Sequence, residues 1–397
     1  MSVTFPRGFR AAGTTAGLKP SGRPDLGLLV ADQARGVAGL FTTNAFAAAP
    51  VRLSRQRLSR GAPRAVVVNS GQANAGTGVR GDRGAEETTA AVAAALQMEP
   101  SLVLACSTGV IGEPLDTARF AGAVPELVGA LSPEGGGAFA EAILTTDTVA
   151  KEASAERGPY RIGGCAKGVG MVAPDLKLAT MLAFLTTDAP VPAADLRRLA
   201  ADVLEPRFES LTVDGCSSTN DSVLLFASGA AGGDLVVADT PAFEQVREAL
   251  EAVASSLVVQ LAHDAEGAHH VVLVEVAGAE TDEDARAVAR TVAESPLVKA
   301  AIFGGDPNPG RILQAIGDSG AVFLPQVVQA SIGDVPVISE GQILSSYFEG
   351  GIADARKALQ EKEIVITVGL GGGPGTGNAL GVDLSYDYVR INAEYTT

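Results

Sequence analysis

Short apolar runs separated by polar, glycine-rich turns dominate the first part of the chain. Within residues 1 to about 63, Leu28-Leu29-Val30 and Ala38-Gly39-Leu40-Phe41 predict strands of a mixed sheet. Arg64-Ala65-Val66-Val67-Val68 predicts a further strand, ending in a loop over residues 69–78. Residues 86–96 have helical composition. The apolar run 102–106 then predicts a strand opening into Ser107-Thr108-Gly109, a small-residue loop of the kind that exposes backbone amides. Helices are predicted over 120–131 and 138–144, the second delivering Thr145-Thr146-Asp147 at its end. Further on come an amphipathic helix over 193–204 between Pro192 and Pro206, a strand over 223–227, and the longest helix over 243–261. Strands over 271–276 and 298–303, a helix over 282–293, strands near Val322, Val335 and 364–368, and helices near Ile312 and Ala353 complete the alternation. The last residues, Tyr388 onward, read as an aromatic strand, which predicts a docked rather than frayed terminus. No low-complexity linker marks an interdomain boundary.

The stretch that organises the chain lies between residues 167 and 189. A glycine-rich loop, Lys167-Gly168-Val169-Gly170, leads through Pro174-Asp175, where helix is disfavoured, into the apolar run Met181-Leu182-Ala183-Phe184-Leu185. Thr180 opens that predicted strand. On local grounds it is an ordinary β-branched strand residue. The alternative is that the Ala179–Thr180 bond is broken by the protein itself. A threonine hydroxyl is a weak nucleophile, but a free α-amine, with a reference pKa of roughly 7.7–8.0, can take its proton, so one residue supplies nucleophile and base.

Composition narrows the field. The 397 residues suffice for one large or two medium domains, and 46% hydrophobic, 19% charged residues with 47 glycines fit an α/β protein. A net charge of -16, no tryptophan and no basic run argue against nucleic acid and anionic membranes as partners. Cys106, Cys165 and Cys216 show no CxxC spacing and cannot all pair, which suits a reducing cytoplasm. The first residues lack the apolar segment of a signal peptide, so a soluble cytoplasmic protein is expected.

Lys167 to Pro174, followed by Ala179-Thr180-Met181-Leu182-Ala183-Phe184 and Thr186-Thr187-Asp188-Ala189, resembles the self-cleaving segment of the ornithine acetyltransferase family, also called the glutamate N-acetyltransferase or ArgJ family. Asn69-Ser70-Gly71-Gln72-Ala73-Asn74-Ala75, Ser107-Thr108-Gly109-Val110, Thr145-Thr146-Asp147-Thr148, Asp264-Ala265-Glu266-Gly267, Gly305-Asp306-Pro307-Asn308 and the segment from Asp383 to Thr397 resemble the family's other motifs, in its order. The resemblance implies a layered α/β sandwich of the N-terminal-nucleophile type, self-cleaved into an α chain of residues 1–179 and a β chain of 180–397. It implies an arginine-biosynthesis acetyltransferase that moves acetyl from N2-acetylornithine to glutamate through an acetyl-Thr180 ester, without cofactor or metal, and leaves open acetyl-CoA as a second donor. The implied assembly is a heterotetramer of two α and two β chains.

Residue roles follow from the same resemblance. Thr108 and Gly109, otherwise a simple turn, become the oxyanion hole, and Ala179 with Thr180 the cleavage site. Lys167, otherwise a surface lysine, becomes a substrate contact able to pair with an α-carboxylate. Glu266, otherwise a surface carboxylate at a helix end, becomes a contact for the δ-ammonium of ornithine. Thr145, Thr146, Thr180, Asn392 and Thr397 are implied as further substrate contacts. Two departures stand out: Lys177-Leu178 resembles an insertion, placing Lys167 two residues further from Thr180 than the family usually has it, and Pro309 replaces a tryptophan.

Three decoys carry less weight. His263, His269 and His270 fit no common zinc spacing. Gly317-Asp318-Ser319-Gly320 lacks the context of a serine-protease loop, and the glycine run 369–377 matches no nucleotide-binding register. The competing readings are a related self-cleaving amidohydrolase or aminopeptidase using water as acceptor, and an uncleaved, non-catalytic amino-acid-binding member.

Overall fold

The computed structural model describes residues 2–173 and 181–394. Ala179, Thr180, the Lys177-Leu178 pair and Thr397 lie outside the described residues. The chain divides into two compact units, one comprising Met1–Phe208 and Cys216–Leu261, the other Glu209–Gly215 and the chain from Ala262. The expectation of an undivided chain is thereby corrected. The crossings fall inside the helices Glu205–Glu209 and Pro241–His263, not in a linker, so no change of composition announces them. Ala173 and Met181, on either side of the undescribed segment, both belong to the first unit.

The first unit holds nine strands: β1 (Phe9–Thr14), β2 (Leu26–Ala31), β3 (Gly36–Phe41), β4 (Ala65–Gln72), β5 (Val103–Val110), β6 (Lys151–Arg157), β7 (Tyr160–Lys167), β8 (Leu182–Thr187) and β9 (Ser222–Ala227). They form a four-stranded sheet, β1-β2-β4-β5, and a five-stranded sheet, β3-β9-β8-β7-β6. All six residues of β2 are buried, and its alternation explains why. Leu26, Leu28 and Val30 face one core with Val92, Phe120 and Val124 of the helices Gly78–Ala95 and Thr117–Gly129. Leu29 and Ala31 face a second core shared with Phe184 of β8 and Phe226 of β9. A strand covered on both faces reads as a continuous apolar run.

The second core lies between the two sheets, and the helix Gly136–Ala142 enters it with Phe139, whose ring meets that of Phe184 edge-on at 5.1 Å. The approach is so close that a Cβ on Gly13 of β1 would stand 2.1 Å from the Ala138 carbonyl oxygen. On the outer face of the five-stranded sheet, Val253 and Leu257 of the helix Pro241–His263 pack on Gly164 of β7. The succession helix, sheet, sheet, helix is the layered α/β sandwich that the sequence implied.

The second unit contains a six-stranded sheet of β10 (Val271–Ala279), β11 (Gln329–Ile332), β12 (Val335–Ser339), β13 (Gln342–Ile343), β14 (Glu363–Gly369) and β15 (Gly375–Val382), in the order β13-β12-β11-β14-β10-β15. Ala285, Val288, Ala289 and Val292 of the helix Asp282–Glu294 share its core with Val272, Val274 and Val276 of β10. The Thr281 side chain caps that helix by accepting from the Asp284 amide.

Several expected elements are corrected. Residues 298–303 belong to the helix Pro296–Phe303: Ser295 caps it and Pro296 opens it, signals that outweigh a short apolar run with no period of its own. The chain end is the helix Tyr386–Glu394, not a strand. A helix, Ala49–Arg60, stands among the early strands, started by Pro50. No strand forms at Val322, and Lys151–Arg157, too polar to read as one, is β6. No helix among the described residues is long and apolar enough to cross a membrane. Phe184→Ala removes the ring that joins both sheets to the inserted helix, and is expected to cost about 3–5 kcal/mol in a urea titration of the full chain.

Candidate active site

The parallel pair β4–β5 carries Thr108 and Gly109 to the C-terminal end of the four-stranded sheet, opposite Ser70 and Gly71. Thr108 is therefore in a strand, not a loop, and only 1% exposed. The pairing needs glycine on both sides: Gly109 has φ +124°, and a Cβ there would lie 2.3 Å from the Gly71 carbonyl carbon.

In the other sheet, β7 ends at Lys167, directly across from Leu182 at the start of β8. The Lys167 side chain turns inward, with only 2% of the residue exposed. Its Nζ donates to Thr145 Oγ1 at 2.7 Å and to Thr108 Oγ1 at 3.2 Å. An ammonium only donates, so the Thr108 oxygen accepts from it and keeps its own hydrogen for another partner.

Asp147 holds this arrangement. It accepts from Lys151 Nζ at 2.7 Å and the Gly168 amide at 3.0 Å through Oδ1, and from the Thr145 amide at 3.2 Å through Oδ2, which also lies 3.8 Å from Lys167 Nζ. Burial would raise this carboxyl, but the Lys167 and Lys151 ammonium groups and the Gly168 amide outweigh it and bring it down to about 2.

Thr145 and Thr146 follow the helix Gly136–Ala142, both half-buried. The structure thus brings Thr108, Gly109, Thr145 and Lys167 together in the first unit. In the second unit, Asn392 Nδ2 donates to Glu266 Oε2 at 3.0 Å and to the Tyr388 carbonyl at 3.1 Å, so those two expected residues are also neighbours. Asn392 reaches Glu266 from a helix, where an extended strand was expected.

Other candidates take different roles. His263, His269 and His270 each hydrogen-bond a different carboxylate: Glu363, Asp387 and Asp383, at 2.9, 3.0 and 2.9 Å. Pro309, at the tryptophan position, opens the helix Pro309–Gly317 and is buried there. Burial pushes the Cys106 thiol up to about 12 and Cys165 well above the ordinary range, so neither supplies a thiolate at neutral pH.

Sequence reasoning missed Asp147 as the organising carboxylate and Lys151 as its second partner. It also missed Lys19. That side chain lies against Gly71, where its Cγ is 3.2 Å from the place a Cβ would occupy, and its Nζ donates to the Pro24 carbonyl at 2.8 Å. Burial brings the Lys19 ammonium down to about 8, with the nearby Lys167 charge adding to the effect and Asp25 opposing it. A lysine within a Lys-Pro-Ser-Gly turn carries no local signal of such burial.

A two-sheet α/β sandwich that gathers a hydroxyl, a glycine and buried ammonium groups at one sheet end is suited to acyl-group chemistry. Comparison with known proteins gives the family: the ArgJ family model matches residues 10–397, and the chain belongs to the ArgJ family. The arginine biosynthesis bifunctional protein ArgJ of Thermus thermophilus is 47% identical over 398 residues, covering 100% of both chains. ArgJ 1 of Nostoc is 43% identical over 407 residues, covering 100% of this chain and 98% of its own. A crystal structure of the ArgJ protein from Bacillus halodurans matches with TM-score 0.50 and 38% identity, over 53% of this chain and 97% of that one.

Asp147→Asn leaves Lys151 and Lys167 without a counter-charge and is expected to destabilise the protein by about 3–5 kcal/mol, read from thermal or urea unfolding. Because the folded-state pKa of Asp147 lies below the unfolded value of about 3.9, its stabilisation is complete above about pH 4 and is lost as pH falls towards 2. Over that window the wild type should lose stability more steeply than Asp147→Asn.

Proposed function

We propose that this protein is an acetyltransferase of arginine biosynthesis that moves an acetyl group from N2-acetylornithine to glutamate through an ester on Thr180. The supporting observation is the contact of Lys167 Nζ with Thr108 Oγ1, which leaves the Thr108 hydrogen available to a developing oxyanion. The relatives' name, arginine biosynthesis bifunctional protein, supports the same reading and a second donor, acetyl-CoA.

In this reading the chain first cuts itself. The Thr180 hydroxyl attacks the Ala179 carbonyl carbon, the C–N bond breaks as the nitrogen takes a proton, and an ester joins the two pieces. Water hydrolyses that ester, giving the Ala179 carboxylate and restoring the Thr180 hydroxyl beside a free α-amine. The products are an α chain of residues 1–179 and a β chain of 180–397.

Transfer then needs no cofactor. The Thr180 α-amine takes the hydroxyl proton as the oxygen attacks the acetyl carbonyl of N2-acetylornithine. The Thr108 hydroxyl and Gly109 amide donate to the oxyanion, each such donor being worth about 3–4 kcal/mol in the transition state. Collapse expels ornithine, whose amine leaves with the proton, and the acetyl group stays on Thr180. The glutamate amine then attacks that ester, and the same steps in reverse free the Thr180 hydroxyl.

We assign Lys167 and Thr145 to the amino-acid carboxylate side of the substrate, Glu266 and Asn392 to the ornithine δ-ammonium, and Thr146 and Thr397 to further contacts. The mature enzyme is assigned as two α and two β chains in the cytoplasm.

Intact-mass analysis tests this reading. Two fragments separated at Ala179–Thr180 are expected, and N2-acetylornithine without acceptor should add one acetyl group to the β chain. Thr180→Ala should stay whole and take up none. A wild type that remains a single 40.2 kDa chain, or a Thr180→Ala protein acetylated at the wild-type rate, contradicts it.

A further inference from the structure

Asp221 stands in the loop just before β9, and its carboxyl oxygen Oδ1 accepts a hydrogen bond from the Met181 amide. The Ser222 amide donates in turn to the Met181 carbonyl at 3.0 Å. The residue that follows Thr180 is thus held at both its main-chain polar groups by two successive residues of one loop. The loop is itself fixed to the end of β5. Asn220 Nδ2 donates to the Ser107 carbonyl at 2.8 Å and to the Ala73 carbonyl at 2.7 Å, one residue ahead of Thr108.

One atom in this clamp is unaccounted for. Asp221 is fully buried, yet its Oδ2 has no hydrogen-bond partner among the described residues. Buried side-chain oxygens are nearly always bonded, and an orphan beside a chain-cutting site calls for a partner that arises there. The nitrogen of residue 180 is three bonds from that of Met181. By standard bond lengths the two atoms are no more than about 3.7 Å apart, so one carboxyl group can bond to both.

We propose that Asp221 is a positioning residue for the chain terminus formed at Thr180, fixing Met181 through Oδ1 and holding Oδ2 for the α-amino group that scission frees. This rests on the reading that the chain is cut ahead of Thr180. Its consequence is that the nucleophile's own base is oriented by a neighbour that touches no substrate. Burial pushes the Asp221 carboxyl well above the ordinary carboxylate range, with the Met181 amide and the Lys167 charge opposing, so the group is neutral before scission. A new amine beside it gives the carboxyl a proton acceptor, and the two then titrate as a coupled pair.

The full-length Asp221→Asn variant tests this, because the amide keeps an oxygen for Met181 but cannot ionise beside an amine. Intact mass over time should show at least about tenfold slower scission than wild type. Cut Asp221→Asn should transfer acetyl with kcat down about tenfold, KM for N2-acetylornithine within about threefold, and the acidic limb of kcat/KM moved about one pH unit lower, since the ammonium loses its charged partner.

Asp221→Asn cut at the wild-type rate, with an unmoved profile, overturns the proposal. So does a loss of kcat that is equal at every pH. If Asp221→Asn folds but is not cut, Asp221→Glu, which keeps the carboxyl, is expected to be cut. Failure of both variants to be cut, or failure of both to unfold cooperatively near the wild-type temperature, makes the group a structural requirement only and overturns the proposal. An uncut wild type in the same spectra would instead sink the reading on which the proposal rests.

Discussion

A single buried carboxylate, Asp147, decides where the polar groups at the end of the sandwich can be. It binds the ammonium of Lys151 at the start of β6, the amide of Gly168 just past β7 and the amide of Thr145 after the inserted helix. Three chain segments therefore meet on two oxygens. Removing such a group from water costs several kcal/mol, offset here only because every bond to it is made and two cations lie nearby. The arrangement is accordingly rigid, and Lys167, at its edge, is held charged and aimed at Thr145 and Thr108.

The sheets deliver the other half. Thr108 and Gly109 arrive on β5 because β4 and β5 run parallel in register, and Gly71 and Gly109 let the two backbones approach where any side chain would collide. Met181 arrives on the neighbouring sheet, pinned by Asp221 and Ser222. Chemistry on one terminal residue, which would bring its own nucleophile and base, asks of the protein only orientation and oxyanion donors. No thiolate is available near these strands to do the work otherwise, since burial keeps Cys106 and Cys165 protonated.

The layered sandwich was legible because β2, β4, β5, β8 and β9 are covered on both faces, or nearly so, and therefore appear as unbroken apolar runs. The polar hairpin strand β6 carried no such signal. Residues 298–303 and the chain end were misread as strands because short apolar or aromatic runs have no period, and the capping residue Ser295 decided the first case. At the site, Thr108, Gly109, Thr145 and Lys167 were found through motif resemblance, and the geometry gives them a physical reason to be neighbours. Asp147 and Asp221 were passed over because a carboxylate's importance here comes from burial and from partners far away in sequence, neither of which a local motif shows. The division into two units was invisible for a related reason: it falls inside helices.

The central claim is that Lys167 acts on the reaction through Thr108. A double-mutant cycle on the acetyl-transfer rate of cut enzyme, with Lys167→Met, Thr108→Val and both together, measures that dependence. The expected result is strong coupling: the double variant loses little more than Thr108→Val alone, so the two single effects fail to add by more than about 1.4 kcal/mol, a factor of ten. Single losses that simply sum in the double variant would mean that the lysine and the threonine work independently, and would contradict the account.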